Sequence, residues 1–128
     1  MMRGRVADSD STIADVVVIG AGPAGIAAAV TAAERGMRVV VLDHGLEPGG
    51  QIWRHRTGAK VPRVAARWLA RLDRCSVEIV RGASVVDARP AADVGGFDVL
   101  AERAGTALRV HAARIVLATG ARELFIPF

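Results

Sequence analysis

Two continuous apolar runs, Val16–Ile19 and Val39–Leu42, stand out against an otherwise mixed chain. Neither alternates with polar residues. Strands covered on both faces read this way, as in a parallel sheet. Between them lies an alanine-rich stretch from Pro23 to about Arg35. It predicts a helix, with Pro23 in the first turn and Gly36 as the C-terminal cap. Farther on, Ala65, Trp68, Leu69 and Leu72 recur at helical spacing, so Val61–Asp73 predicts an amphipathic helix. Val77–Val80 predicts a third strand. Three short β-prone pieces follow, Ala83–Ala88, Phe97–Arg103 and Leu108–Ala112, with Gly95-Gly96 and Gly105 as turn signals. They predict a small antiparallel meander. A last buried strand starts at Arg114 and runs into Ala118-Thr119-Gly120. The alternation of strand and helix predicts an α/β fold with a parallel sheet. Residues 1–14 read as a flexible arm and residues 15–128 as one domain.

Composition narrows the class. A chain of 128 residues sets a prior of one domain, and 52% apolar residues with 23% charged ones suit a packed core rather than disorder. Aromatics are 4% with no Tyr, which disfavours a base-stacking platform. The net charge is +4, and Arg63, Arg67, Arg71 and Arg74 share one face of the second helix. Without a binding motif or interleaved aromatics these read as a solvated face, so no nucleic-acid partner is expected. One cysteine, Cys75, excludes an internal disulfide, a CxxC redox pair and a multi-cysteine zinc site. It reads as a small core residue, and no metal site is expected. Val16–Ala33 is free of charge for 18 residues, within the roughly 17–25 that span a bilayer. Gly20, Gly22, Pro23 and Gly25 would break such a helix in the middle, so no membrane span is expected. Met1–Ala14 carries Asp8 and Asp10 and no apolar core of a signal, and the expected location is the cytoplasm.

The junction of the first strand and helix carries the chemistry. Gly20-Ala21-Gly22-Pro23-Ala24-Gly25 is a G-x-G-x-x-G string. Gly20 allows the tight turn, Gly22 lets the backbone approach a pyrophosphate, and Gly25 lets the helix pack closely on the strand. Free amides at the helix start and the helix dipole both favour phosphate. Asp43 follows Gly20 by 23 residues at the end of the second strand. That is the place of a carboxylate that accepts hydrogen bonds from an adenosine ribose, and it would repel a 2′-phosphate.

In this context the sequence resembles the two-dinucleotide-binding-domain flavoproteins, the pyridine nucleotide-disulfide oxidoreductase-like superfamily. The resemblance implies a Rossmann-like three-layer FAD-binding domain. In it Gly20, Gly22, Pro23, Ala24, Gly25 and Asp43 bind the ADP half of FAD. It further implies that the loop His44–Lys60 folds over the cofactor, with His44, Gly50 and Gln51 in contact. Val85 would lie near the adenine, and Ala118, Thr119 and Gly120 would pass close to the cofactor. Pro48-Gly49-Gly50-Gln51-Ile52-Trp53-Arg54 and the closing Gly120–Phe128 resemble one branch. That branch holds the FAD/NAD-binding subunits of opine oxidases, D-hydroxyproline-type dehydrogenases and hydrogen cyanide synthase. The branch implies an amine or amino-acid-like small-molecule substrate and other oxidoreductase subunits as partners.

Superfamily members continue into a second domain that binds NAD(P) and then return with a Gly-Asp segment. Neither is present in these residues, so the chain is expected to be an N-terminal part, incomplete at the C-terminus. Two further readings stay open: a truncated or stand-alone nucleotide-binding module without catalysis, and an NAD-binding domain of a simple dehydrogenase. The Gly-Gly-Gln loop and the meander count against the latter. No residue qualifies as a catalytic acid or base. His44 and His55 sit in the glycine-rich loop and His111 in a strand, and Arg54 and Arg56 are candidates to assist phosphate binding.

Overall fold

A computed structural model describes residues 11–50, 52–53 and 60–121. The described residues form β1 (Ser11–Ile19), α1 (Pro23–Glu34), β2 (Val39–Asp43), α2 (Arg63–Arg74) and β3 (Val77–Arg81). Then come β4 (Ser84–Pro90), β5 (Phe97–Arg103) and β6 (Thr106–Leu117). They make one sheet of order β3-β2-β1-β6-β5-β4. β3, β2, β1 and β6 run parallel, and β4, β5 and β6 run antiparallel.

Each predicted element is present, several with ends shifted by one or two residues (α2 begins at Arg63, not Val61), and two boundaries need larger corrections. Ser11–Ala14, expected to belong to the arm, are part of β1 and pair with Arg109–Ala112 of β6. The ladder partner, not local apolarity, orders these residues. The third meander piece and the last buried strand are one strand of 12 residues. Ala113-Arg114 holds no glycine or proline to break it. Its first half pairs with β5, and from Arg109 it pairs with β1.

The layers follow from the apolar pattern. Val16, Val18, Val39 and Val41 point to one face and pack under Ala28, Ala29, Ala32 and Ala33 of α1. Small side chains let that helix sit close to the sheet. Ile26 and Val30 meet Leu72, Trp68 and Leu69, which docks α2 on α1. The opposite face presents Val17, Val40 and Leu42, which pack against Ala83, Val99, Ala101 and Val110. The meander end of the sheet therefore curls over the second face and takes the place of another helix layer. Burial on both sides explains why β1 and β2 are unbroken apolar runs.

One tie between the helices is polar. Arg71 of α2 donates to Glu34 of α1 through Nε at 2.9 Å and Nη2 at 2.7 Å, and its guanidinium lies 4.3 Å from the Trp68 ring centroid. One arginine of the basic face is thus engaged. The hydrogen bonds from Arg71 hold the Glu34 carboxyl below the usual carboxylate range. A depressed acid stabilises the fold above its unfolded pKa of about 4.3, and the contribution disappears as pH falls through the folded value. Glu34→Gln is accordingly expected to lower the urea midpoint at pH 7 at low salt. That difference should shrink below about pH 4 and in high salt, both side chains being exposed. A difference that is the same at about pH 7 and about pH 3 contradicts this.

Candidate cofactor site

Strand order places the site. From β1 the chain steps outward through α1 to β2 and through α2 to β3, then returns to pair β6 on the other side of β1. The reversal leaves a switch point at the carboxyl ends of β1 and β6. Open α/β sheets bind their ligands in that crevice. The glycine turn leaves β1 at this point.

The three glycines of the turn do different work. Gly20 has φ +103°, and a Cβ there would stand 2.2 Å from the Ala118 carbonyl oxygen. Its own amide donates to the Leu42 carbonyl at 2.9 Å. Gly25 lies in the first turn of α1, where a Cβ would stand 1.9 Å from the Gly20 carbonyl oxygen and 3.4 Å from Ala118 Cβ. Gly20, Gly25 and Ala118 therefore interlock, and the amide of Ala118 donates to the Ile19 carbonyl at 2.9 Å. Gly22 is different. Its backbone (φ −73°, ψ −175°) is open to any residue, and a Cβ would meet only Gly50 Cα, at 3.9 Å. Its side of the turn is a cradle that a side chain would fill.

Pro23 occupies the first helical turn, and Ile26 N–H makes the bond back to the Gly22 carbonyl at 2.9 Å. The amides of Ala24 and Gly25 precede that bond and have no partner within the helix. With the helix dipole they suit an anion.

Asp43 joins three segments. Its Oδ1 accepts from Ala21 N at 3.0 Å and its Oδ2 from Gly45 N at 3.2 Å. Its backbone carbonyl accepts from Ala83 N at 2.9 Å, and the Gly45 carbonyl accepts from Gly82 N at 3.1 Å. The loop after β2 then returns to the glycine turn. Gly49 N donates to the Ala21 carbonyl at 2.7 Å. Gly50, at φ +58°, lies so close to Gly22 that a Cβ would come 2.8 Å from Gly22 Cα.

Of the residues expected at the site, Gly20, Gly22, Pro23, Ala24, Gly25, Asp43, Gly50 and Ala118 come together here. His44 is exposed beside Asp43, and Thr119 and Gly120 are exposed just past β6. Val85, in β4 of the meander, is partly buried against the core. It is the neighbouring Gly82–Ala83 turn that bonds to the Asp43 loop. Gln51, His55, Arg54 and Arg56 lie outside the described residues, as does Arg122–Phe128. Ala21, Gly45 and Gly49 hold the site together, although none was among the expected cofactor contacts; Ala21 and Gly49 lie within the glycine string and the Gly-Gly-Gln segment, and Gly45 lies in neither. The one signal for Gly45 was the crowding of glycines after Asp43. His111 pairs its Nδ1 with Asp98 Oδ1 at 2.8 Å on the meander. A groove of about 410 Å³ along α1, lined by Ala27, Ala28, Thr31, Ala32, Arg35 and Met37, includes none of the site residues. Among the described residues no cluster of His, Cys, Asp or Glu suits a metal, and no helix is long and apolar enough to cross a membrane.

Comparison with known proteins bears on the family and the fold. Residues 14–128 match the pyridine nucleotide-disulphide oxidoreductase family. The chain belongs to that family. An opine oxidase subunit of Agrobacterium tumefaciens (strain Ach5) is 39% identical over 138 residues, which cover 95% of this chain and 27% of that protein. The HcnB subunit of hydrogen cyanide synthase from Pseudomonas aeruginosa is 31% identical over 118 residues, covering 88% of this chain and 25% of that one. The chain thus spans about a quarter of the length of these relatives. Among solved structures, L-proline dehydrogenase from P. horikoshii superposes with a TM-score of 0.72 at 24% identity, over 91% of this chain and 24% of that chain. Thioredoxin reductase of T. acidophilum superposes at 0.64 with 26% identity, over 88% and 37%. The Rossmann-like architecture of this family member is therefore shared with them.

Proposed function

We propose that the chain is the FAD-binding part of an oxidoreductase acting on an amine or amino-acid-like substrate of the opine type. The observation that carries it is the open side of Gly22, at the switch point, between the first amides of α1 and the carboxylate of Asp43. In this reading the diphosphate lies along Gly22 and meets the amides of Ala24 and Gly25. Each oxygen of Asp43 takes one backbone amide and keeps acceptor capacity for a ribose hydroxyl. Gly50 closes over the diphosphate from the loop, Thr119 and Gly120 border it beyond β6, and Gln51 is a further cofactor contact by the family resemblance. Bound flavin supplies the two-electron chemistry, and the chain's residues supply position and electrostatics.

The substrate class and the partners follow the relatives. The opine oxidase relative and the alpha chain of a Corynebacterium sarcosine oxidase (the latter 32% identical over 133 residues) are each named as one subunit of an oxidase. Other oxidoreductase subunits are therefore the expected partners, in the cytoplasm, with NAD(P) belonging to a second domain. Calorimetric titration with ADP tests the reading. Saturable one-to-one binding, weakened by competing FAD, is expected, without substrate turnover by these 128 residues alone. Absence of any ADP or FAD binding refutes the site. Flavin bleaching by a substrate refutes the lack of turnover.

A further inference from the structure

The Asp43 carboxylate already has two protein partners on opposite sides. Its Oδ1 accepts the Ala21 amide of the glycine turn and its Oδ2 accepts the Gly45 amide of the following loop. We infer that Asp43 is a positioning residue for the diphosphate, in addition to any bond it makes to a sugar. By bridging Ala21 and Gly45 it sets the glycine turn and the loop that carries Gly49 and Gly50 in one arrangement. This rests on the nucleotide-binding reading above and assigns the carboxylate a second task within it.

Three details support the assignment. The turn and the loop meet again at Ala21, whose carbonyl accepts from Gly49 N at 2.7 Å. Ala21 is thus held by its amide from Asp43 at the end of β2 and by its carbonyl from Gly49 of the following loop, and it is buried at 1% exposure. A Cβ at Gly45 would stand 2.8 Å from Asp43 Oδ2. Glycine at 45 is therefore what leaves room for the carboxylate, although the backbone there needs no positive φ. Finally, the bridge requires two acceptor oxygens facing two N–H donors. An amide side chain has one acceptor and would turn its NH₂ toward one of those donors.

The role separates from sugar binding when the ligand has no sugar hydroxyls. The 128-residue chain and its Asp43→Asn variant are titrated with ADP and with 2′,3′-dideoxy-ADP. Positioning predicts that Asp43→Asn weakens dideoxy-ADP by about tenfold, as for one lost charge-assisted hydrogen bond, and ADP by more. Gly45→Ala, which keeps the charge but displaces Oδ2, should weaken both ligands by a similar factor. If Asp43→Asn binds dideoxy-ADP as tightly as the parent chain, Asp43 only accepts from the sugar and the inference is wrong. Hydrogen exchange of the ligand-free chain gives an arm that does not depend on nucleotide binding. Asp43→Asn should speed exchange at the Ala21 or Gly45 amide and leave Ala83, bonded to the backbone carbonyl of residue 43, protected. Unchanged protection at both Ala21 and Gly45 overturns the inference even if ADP proves to be no ligand. Failure of the parent chain to bind ADP, with exchange at Ala21 accelerated in the variant, refutes the nucleotide reading and the diphosphate role with it, and leaves only the bridge between the turn and the loop.

Discussion

Gly25→Ala is expected to lower the melting temperature by about 10 °C or more, the loss of roughly 3 kcal/mol for a domain of this size. A single methyl group seldom does this on a helix. Alanine has the higher helix propensity, by about 1 kcal/mol in a helix interior, so a helical glycine is usually improved by the change. Here contact decides the sign. The new Cβ would stand 1.9 Å from the Gly20 carbonyl oxygen and 2.9 Å from its carbon. Both are backbone atoms, and no rotamer relieves them. Gly20 cannot retreat, because its amide is bonded to Leu42 and its other side abuts the Ala118 carbonyl. The first turn of α1 would have to lift from the sheet, disturbing the packing of Ile26 and Ala29, which are 2% and 0% exposed. Thermal denaturation followed by circular dichroism reads the result. A variant that melts within about 2 °C of the parent contradicts the interlock.

Gly22→Ala should do the reverse, sparing the fold and removing the ligand. Its backbone angles suit any residue and its nearest neighbour to a Cβ is 3.9 Å away. The stability cost is that of alanine at a helix N-cap, about 0.5–1 kcal/mol. A methyl on that side, however, occupies the space assigned to a diphosphate oxygen. ADP affinity is expected to fall at least about tenfold, equivalent to about 1.4 kcal/mol, and Gly22→Val should lose more. The check is the rise in melting temperature at a fixed ADP concentration, which should nearly vanish while the ligand-free value stays near that of the parent. An undiminished rise would mean that nucleotide binds elsewhere. The pair of variants divides one motif into a packing glycine and a binding glycine, which the spacing alone treats alike.

Much of the fold is legible in the residues because the strongest signals are local. Val16–Ile19 and Val39–Leu42 are apolar on both faces, and only a strand between two layers needs that. Pro23 and the alanines of α1 announce a helix that must lie close to a sheet. The glycine turn and Asp43 mark where a diphosphate and its sugar would lie. The less legible parts depend on partners distant in sequence. Ser11–Ala14 carry little apolar pattern, and they become strand because β6 offers them a ladder. Leu108–Ala112 and Arg114–Leu117 look like two pieces, and they form one strand because β5 and β1 take opposite edges of it.

The amino-acid order by itself determined the strand–turn–helix–strand unit and its family, and it marked the glycine turn as the candidate site. These depend on backbone freedom, side-chain volume and charge among residues close together in the chain. Only the tertiary structure decided that the meander replaces a helix layer over Val17, Val40 and Leu42. It alone also showed that the Asp43 carboxylate holds the amides of both Ala21 and Gly45. Both outcomes rest on contacts between segments far apart in the chain. Their geometry is set by how the sheet curls, which no local pattern of residues encodes.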